Sequence, residues 1–257
     1  MIGLFGGTFD PFHRAHRALP ESAMQNLGLD QVIVMPVGRA PHKDRRTSFA
    51  TYRFEMAQLG SADLGGVCVC DDEIRSPGVD YTFNTVMHLK KKLCPKKLFI
   101  LAGSDVLVSI DSWYRVADLL KEVTLAIAVR GDGDTALLRS KASQTQQRYG
   151  GKVVFFEMPR MEVSATGLRA SLLAGEKTEG MCPEAVQAFI GQYRLYDFAL
   201  DFDMLSDDEW QDLLDLEEII WPYLSQKRRL HSVSVAQYAA RLARLNGLDV
   251  WAAAAGG

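Results

Sequence analysis

Two histidines three residues apart, His13 and His16, follow a glycine-rich turn, Gly6-Gly7-Thr8-Phe9-Asp10-Pro11. The turn itself follows a short apolar run, Ile2-Gly3-Leu4-Phe5. Glycines let the backbone approach an anion with no Cβ in the way. Proline fixes φ and suits the entry to a helix. On the first turn of such a helix His13 and His16 share one face. The unpaired N–H groups there point outward, and the helix dipole favours a negative ligand. The chemistry indicated is phosphate handling. A metal site on the two histidines would need a third ligand, and no His-Glu-x-x-His spacing provides one.

Four further groups of residues suit the same chemistry. Ser164-Ala165-Thr166-Gly167-Leu168-Arg169 reads either as an ordinary helix N-cap or as a second phosphate site, with two hydroxyls and Arg169 one turn on. Pro36-Val37-Gly38-Arg39-Ala40-Pro41-His42-Lys43 is either a solvated basic loop or one that brings His42 and Lys43 to phosphates. Gly103-Ser104-Asp105 ends an apolar run, where an aspartate serves as a helix cap or holds a ribose hydroxyl or an ATP-bound metal. Trp113-Tyr114 beyond it offers rings for packing or for stacking on a flat base. Asp80-Tyr81-Thr82 caps a helix or meets a ligand, and Arg130 adds a cation after another apolar run.

These groups need elements to carry them. Short runs rich in Val, Ile, Leu and Phe predict strands over Met1–Phe5, Gln31–Pro36, Gly66–Asp71, Lys97–Ala102, Val123–Val129 and Lys152–Phe156. Helices are predicted between and after them, over Arg14–Leu27, Phe49–Gly60, Thr82–Leu93, Trp113–Lys121, Asp134–Tyr149, Thr166–Ala174 and Pro183–Tyr193. The alternation implies an α/β fold, a Rossmann-like doubly wound parallel sheet, with ligands outside the carboxyl ends of its strands. The chemical residues fall at those ends.

The chain divides near residue 200. Residues 1–200 carry 24 basic against 22 acidic side chains, and residues 201–257 carry 5 against 10. This balance speaks against a nucleic-acid binder, so an anion site must rely on locally converging cations. No segment is long and apolar enough for a membrane span or patterned as a signal peptide. The few cysteines, Cys68, Cys70, Cys94 and Cys182, suit reduced thiols and a cytoplasmic location. After residue 200 the pattern is a short all-helical tail. Ser206 and Glu209 form a capping box, Pro222 ends the first helix, and a second covers Ser232–Leu245, stopping at Asn246-Gly247. Ala252–Gly257 reads as low complexity. Exposed apolar faces on these helices would pack on the first domain or on a second copy in a homo-oligomer.

Taken in order, the motifs resemble the nucleotidyltransferase superfamily, and most of all bacterial nicotinate-nucleotide adenylyltransferases. The resemblance rests on Gly6–His16, Pro41-His42-Lys43, Tyr81-Thr82, Gly103-x-Asp105, Trp113-Tyr114, Arg130 and Ser164-x-Thr166-x-x-Arg169, and continues to Tyr196. It implies transfer of AMP from ATP to nicotinate mononucleotide, giving deamido-NAD and pyrophosphate in NAD biosynthesis. It also implies roles. His13, His16, Lys43 and Arg169 would be catalytic. Gly6, Gly7, Thr8, Phe9, Gly103, Asp105, Arg130, Ser164 and Thr166 would join the histidines and Arg169 around ATP. Thr8, His42, Lys43, Tyr81, Thr82, Trp113 and Tyr114 would hold the mononucleotide. Mg2+ would ride on ATP, with no metal held by the protein itself. A helix start at Trp113 would favour the nicotinate carboxylate through its dipole.

The chain departs from the family's His-x-Gly-His at Ala15, and from its Ser before Tyr-Thr at Asp80, which is expected to point away from the substrate. The other readings keep the fold and change the acceptor, to nicotinamide mononucleotide or phosphopantetheine, or make the chain a decayed nucleotide-binding module. Residues from Arg228 resemble the opening of HD-type phosphohydrolases that cleave diadenosine tetraphosphate, with His231 matching the first metal ligand. The His-Asp pair that family needs is absent, so the tail is expected to be a truncated second domain with His231 a bystander.

Overall fold

The computed structural model describes residues 1–39, 46–76, 78, 80–129, 135–196, 202 and 204–256. Six strands form one sheet in the order β3-β2-β1-β4-β5-β6, and every neighbouring pair is parallel. They are β1 (Ile2–Gly7), β2 (Gln31–Pro36), β3 (Val67–Val69), β4 (Leu98–Gly103), β5 (Thr124–Val129) and β6 (Lys152–Glu157). Side chains alternate across the sheet. Phe5, Val32, Val34, Phe99, Leu101, Ala126 and Ala128 enter one core, and Leu4, Ile33, Met35, Ile100, Leu125 and Ile127 enter the other. Both faces are apolar, so both need helices over them.

The first face carries α1 (Arg14–Leu27), α2 (Ala50–Ser61), α7 (Ala165–Leu173) and α8 (Glu184–Tyr193). The second carries α3 (Thr82–Leu93), α4 (Ser104–Ser109), α5 (Val116–Glu122) and α6 (Thr135–Tyr149). Strand order turns back between β1 and β4. Their carboxyl ends form the switch point at which such sheets take ligands. The predicted fold class is the observed one. No described helix is long and apolar enough to cross a membrane.

Before the tail, three segments differ from expectation. β3 is three residues long, not six. Beyond it the Cys70 amide still bonds Val34 O, but Arg75 N then turns back to Asp71 O. The helix predicted from Trp113 starts at Val116, because Arg115 at φ 53° breaks any helical path through it. The preceding segment instead forms α4 and a 310 turn, Ile110–Ser112.

In the tail, α9 (Asp207–Ile220) has the expected Ser206–Glu209 capping box. Next, α10 (Gln226–Leu245) starts six residues earlier than predicted, where Gln226 bonds Glu55 and Gln58 of α2. Finally α11 (Val250–Ala255) forms where low complexity was expected, capped by Asp249. The tail packs on the first face, and Trp221, fully buried, sits against Ala50, Phe54 and Ile74.

Candidate active site

A cavity of about 570 Å3 opens at the switch point. The ends of β1 and β4 line it with Gly6, Gly7 and Gly103, and the start of α1 with His13, Ala15 and His16. Asp80, Tyr81 and Thr82 come from the start of α3, Trp113 and Tyr114 from the turn before α5, and Ser164 from the start of α7. Asp105, from the first turn of α4, completes the predicted residues found there. A Cβ on Gly6 would meet nothing within 4 Å and would project into open space, so a ligand can approach that backbone closely.

The histidines are locked to each other. His13 is the N-cap of α1, and its Nδ1 accepts the His16 amide at 3.4 Å. The Nδ1 of His16 accepts the His13 amide at 3.2 Å. This is a capping box built from imidazoles, with the rings stacked at 3.6 Å and 13°. A nitrogen that accepts an N–H carries no proton of its own, so each neutral ring holds its proton on Nε2. Phe9, placed by the motif among the ATP residues, is 1 % exposed. Its ring packs edge-on against His16 at 5.0 Å, so it seats the histidine and offers no exposed face to a nucleotide.

The turn beneath is held by groups the motif did not reveal. Asp10 accepts from Tyr196 Oη on one carboxylate oxygen and from the Ser48 amide on the other. Arg169 donates to Asp10 O and to Thr166 Oγ1, and neither Arg169 nor Thr166 lines the cavity. Ser164 caps α7 by accepting the Gly167 amide at 3.1 Å. Its local bond is thus the ordinary cap, made at the cavity edge. Thr8 is also outside the lining, with its carbonyl accepting from Arg53. His42, Lys43 and Arg130 lie outside the described residues.

The base end is built differently from expectation. The Trp113 amide donates to Ile110 O at 3.1 Å and begins no helix, so it brings no dipole to the cavity. The dipole comes from α3. Its N-cap Tyr81 makes no side-chain cap bond, and Tyr81 and Thr82 face the cavity. A helix start left uncapped by side chains favours an anion. Tyr81 and Tyr114 form an aromatic wall, with ring centroids 4.6 Å apart.

Asp80, expected to point away from the substrate, stands among the residues that line the cavity, with its carboxylate turned to the β2–α2 connection. Its Oδ2 accepts the Gly38 and Arg39 amides, each at 3.0 Å. Burial pushes its carboxyl up to about 6, against the pull of those two amides. Glu73, missed by the sequence, also lines the cavity and accepts the Thr85 hydroxyl at 2.5 Å. Burial pushes it up to about 7, and the neighbouring Asp80 adds to the rise. Gly38 is required where it stands, because a Cβ there would lie 2.6 Å from Glu73 O.

Away from the cavity, Cys70, Asp71 and Asp72 could each aim one ligand atom at a common point. Lys92 already pairs with Asp72, and Arg75 and Trp221 Nε1 with Asp71, so the negative charge there is answered.

A parallel sheet whose switch point opens into such a cavity belongs to the nucleotide-handling α/β proteins. Residues 4–171 match the family described as cytidylyltransferase-like, and the chain belongs to that family. Among the curated proteins it is similar to are several named probable nicotinate-nucleotide adenylyltransferases. One from Herpetosiphon aurantiacus is 34% identical over 197 residues, covering 76% of this chain and 98% of its own length. One from Albidiferax ferrireducens is 34% identical, covering 77% of this chain and 98% of its own. The fold is shared with the Plasmodium falciparum nicotinic acid mononucleotide adenylyltransferase complexed with NaAD. That match has a TM-score of 0.62 at 18% identity and covers 77% of this chain and 97% of the other.

Proposed function

We propose that this chain is a nicotinate-nucleotide adenylyltransferase, transferring AMP from ATP to nicotinate mononucleotide to give deamido-NAD and pyrophosphate. The observation that carries this reading is one cavity shared by two sites. The His13–His16 pair at the start of α1 suits phosphates, and the uncapped start of α3 beside an aromatic wall suits an acidic flat ring. The named relatives support the same acceptor. Residues 1–200 form the transferase unit in this proposal, with the later helices appended, and the enzyme works in the cytoplasm.

The nucleophile is the mononucleotide's own phosphate, already ionised at neutral pH, so neither a general base nor a covalent intermediate is required. The barrier is repulsion between two anions, about 4 kcal/mol per unit pair at close range in a site of intermediate dielectric. Catalysis is then positioning in line with the leaving pyrophosphate, plus neutralisation of charge. His16 donates Nε2–H to the α-phosphate and His13 to its neighbour. Ser164 stands at the cavity edge for the outer phosphates. Thr166 and Arg169, outside the lining, join it on the family resemblance alone, and what Arg169 does here is fix the turn through Asp10 O. Lys43, His42 and Arg130 enter on the family resemblance alone. Mg2+ would ride in on the ATP phosphates, as is common for this ion. Glu73 and Asp80 already accept hydrogen bonds from the protein and are given no part in holding it.

Trp113 tests the acceptor assignment. Trp113→Ala raises the KM for nicotinate mononucleotide roughly tenfold, as expected for a lost stacking face, and leaves the KM for ATP within about twofold. Equal rises for both substrates in initial-rate measurements would remove Trp113 from the acceptor end.

A further inference from the structure

The C-terminal segment reaches the cavity through two arginines of the β2–α2 connection. Arg39 Nη2 contacts Asp215 Oδ1 at 2.5 Å and Glu218 Oε2 at 2.6 Å, both on α9. Further along the connection, Arg46 donates to the carbonyls of Phe202 and Leu205. Its guanidinium also lies 5.9 Å from the Trp210 ring centroid. Two points of one connection are therefore fastened to the C-terminal segment.

The main chain carries the contact inward. The Arg39 amide donates to Asp80 Oδ2 at 3.0 Å, and the Asp80 amide returns a bond to Arg39 O at 3.3 Å. Asp80 immediately precedes Tyr81 and Thr82, the wall where the acceptor base is assigned. A continuous path of polar contacts thus runs from Asp215 and Glu218 through Arg39 and Asp80 to that wall. The Arg39 and Glu218 side chains are only 22% and 21% exposed, so the contact is shielded from solvent more than an ordinary surface ion pair.

We infer that α9 is a positioning element for the acceptor end of the cavity, acting through the Asp215–Arg39–Glu218 bridge on the Gly38–Arg39 and Asp80–Thr82 backbone. Residues 202–218 lie outside the part of the chain that matches the family, 4–171. Through this bridge the appended helix acts on acceptor binding and leaves the histidine pair, His13 and His16, untouched. The functional half of this inference rests on the proposed acceptor.

The test is the full-length double variant Asp215→Asn with Glu218→Gln, which keeps both side-chain shapes and removes the charges that hold Arg39. Asp212→Asn, on an exposed position of the same helix, is the control for net charge. The double variant should raise the KM for nicotinate mononucleotide roughly 3- to 10-fold, with kcat and the KM for ATP within about twofold. Amide hydrogen exchange at Gly38, Arg39 and Tyr81–Thr82 should quicken, and Asp212→Asn should match wild type in both readouts. An unchanged acceptor KM, or a matching rise for ATP, overturns the inference. A wild-type enzyme that ignores nicotinate mononucleotide defeats the acceptor reading, and the exchange comparison then decides the positioning role alone. Unchanged exchange overturns that role.

Discussion

His16→Ala lowers kcat by about 10^2 to 10^3, the size of effect seen when one fixed donor to a developing charge is removed. The donor is unusually well fixed. His16 Nδ1 is engaged by the His13 amide, the ring stacks on His13 at 3.6 Å, and Phe9 and Phe12 pack against it at 5.0 and 5.5 Å. Little reorganisation is therefore needed when the pentavalent phosphorus forms. Losing the ring also removes one half of the capping box, at a cost of about 1 kcal/mol, or roughly 3 °C in the melting midpoint of a chain of this size. Initial rates and a thermal melt on the same sample separate the two effects. A variant with wild-type kcat removes His16 from the reaction. One that loses activity only because it no longer folds shows it in the melt.

The largest stability effect is expected at a residue with no place in any motif. Arg53 of α2 is 2 % exposed. Its guanidinium donates to Ser48 O, Thr8 O, Val37 O and Gly38 O, at distances from 2.6 to 3.2 Å. It therefore ties the end of β1 to the end of β2 under the cavity. Burial lowers the pKa of the guanidinium, while the Asp10 and Glu217 carboxylates support its charge. Glu217 of α9, itself buried, accepts the Ala50 and Thr51 amides at the start of α2. Arg53→Met leaves four carbonyls without this donor and two carboxylates without their cation. That costs about 3–5 kcal/mol, on the order of 10 °C in the melting midpoint. A midpoint within about 2 °C of wild type would show that water replaces the guanidinium without penalty.

The strands were legible because a sheet covered on both faces writes itself as short apolar runs. All six are found near their predicted places, and α1 and α3 have their predicted bounds. The glycine turn and histidine pair were legible as parts of one site at a strand end, and Gly6, Gly7, His13 and His16 do line one cavity there.

What was hidden depended on contacts distant in sequence. Arg53 sits in Ala-Thr-Tyr-Arg-Phe-Glu-Met, where nothing local distinguishes a buried charge from a solvated one. Glu217 reads as one acid among many on an acidic helix, and only the fold brings it to Ala50. Nothing near Asp80 in the sequence indicates where its carboxylate is held, because its two amide partners lie 41 and 42 residues away. The missed α4 began with Ser104-Asp105, which the chemistry of the site had already claimed. The signal for it was present, because an acid in the first turn after glycine is an ordinary helix start.

Pyrophosphate release from Mg-ATP by the full-length protein, with nicotinate mononucleotide, nicotinamide mononucleotide and phosphopantetheine offered in turn, tests the central claim most directly. The account predicts rapid release with nicotinate mononucleotide and slow or no release with the other two, because the start of α3 favours the carboxylate over the amide. Release with nicotinamide mononucleotide or phosphopantetheine at the same or greater rate would contradict the acceptor assignment. No release with any of them, from folded protein that still binds ATP, would contradict the enzyme itself.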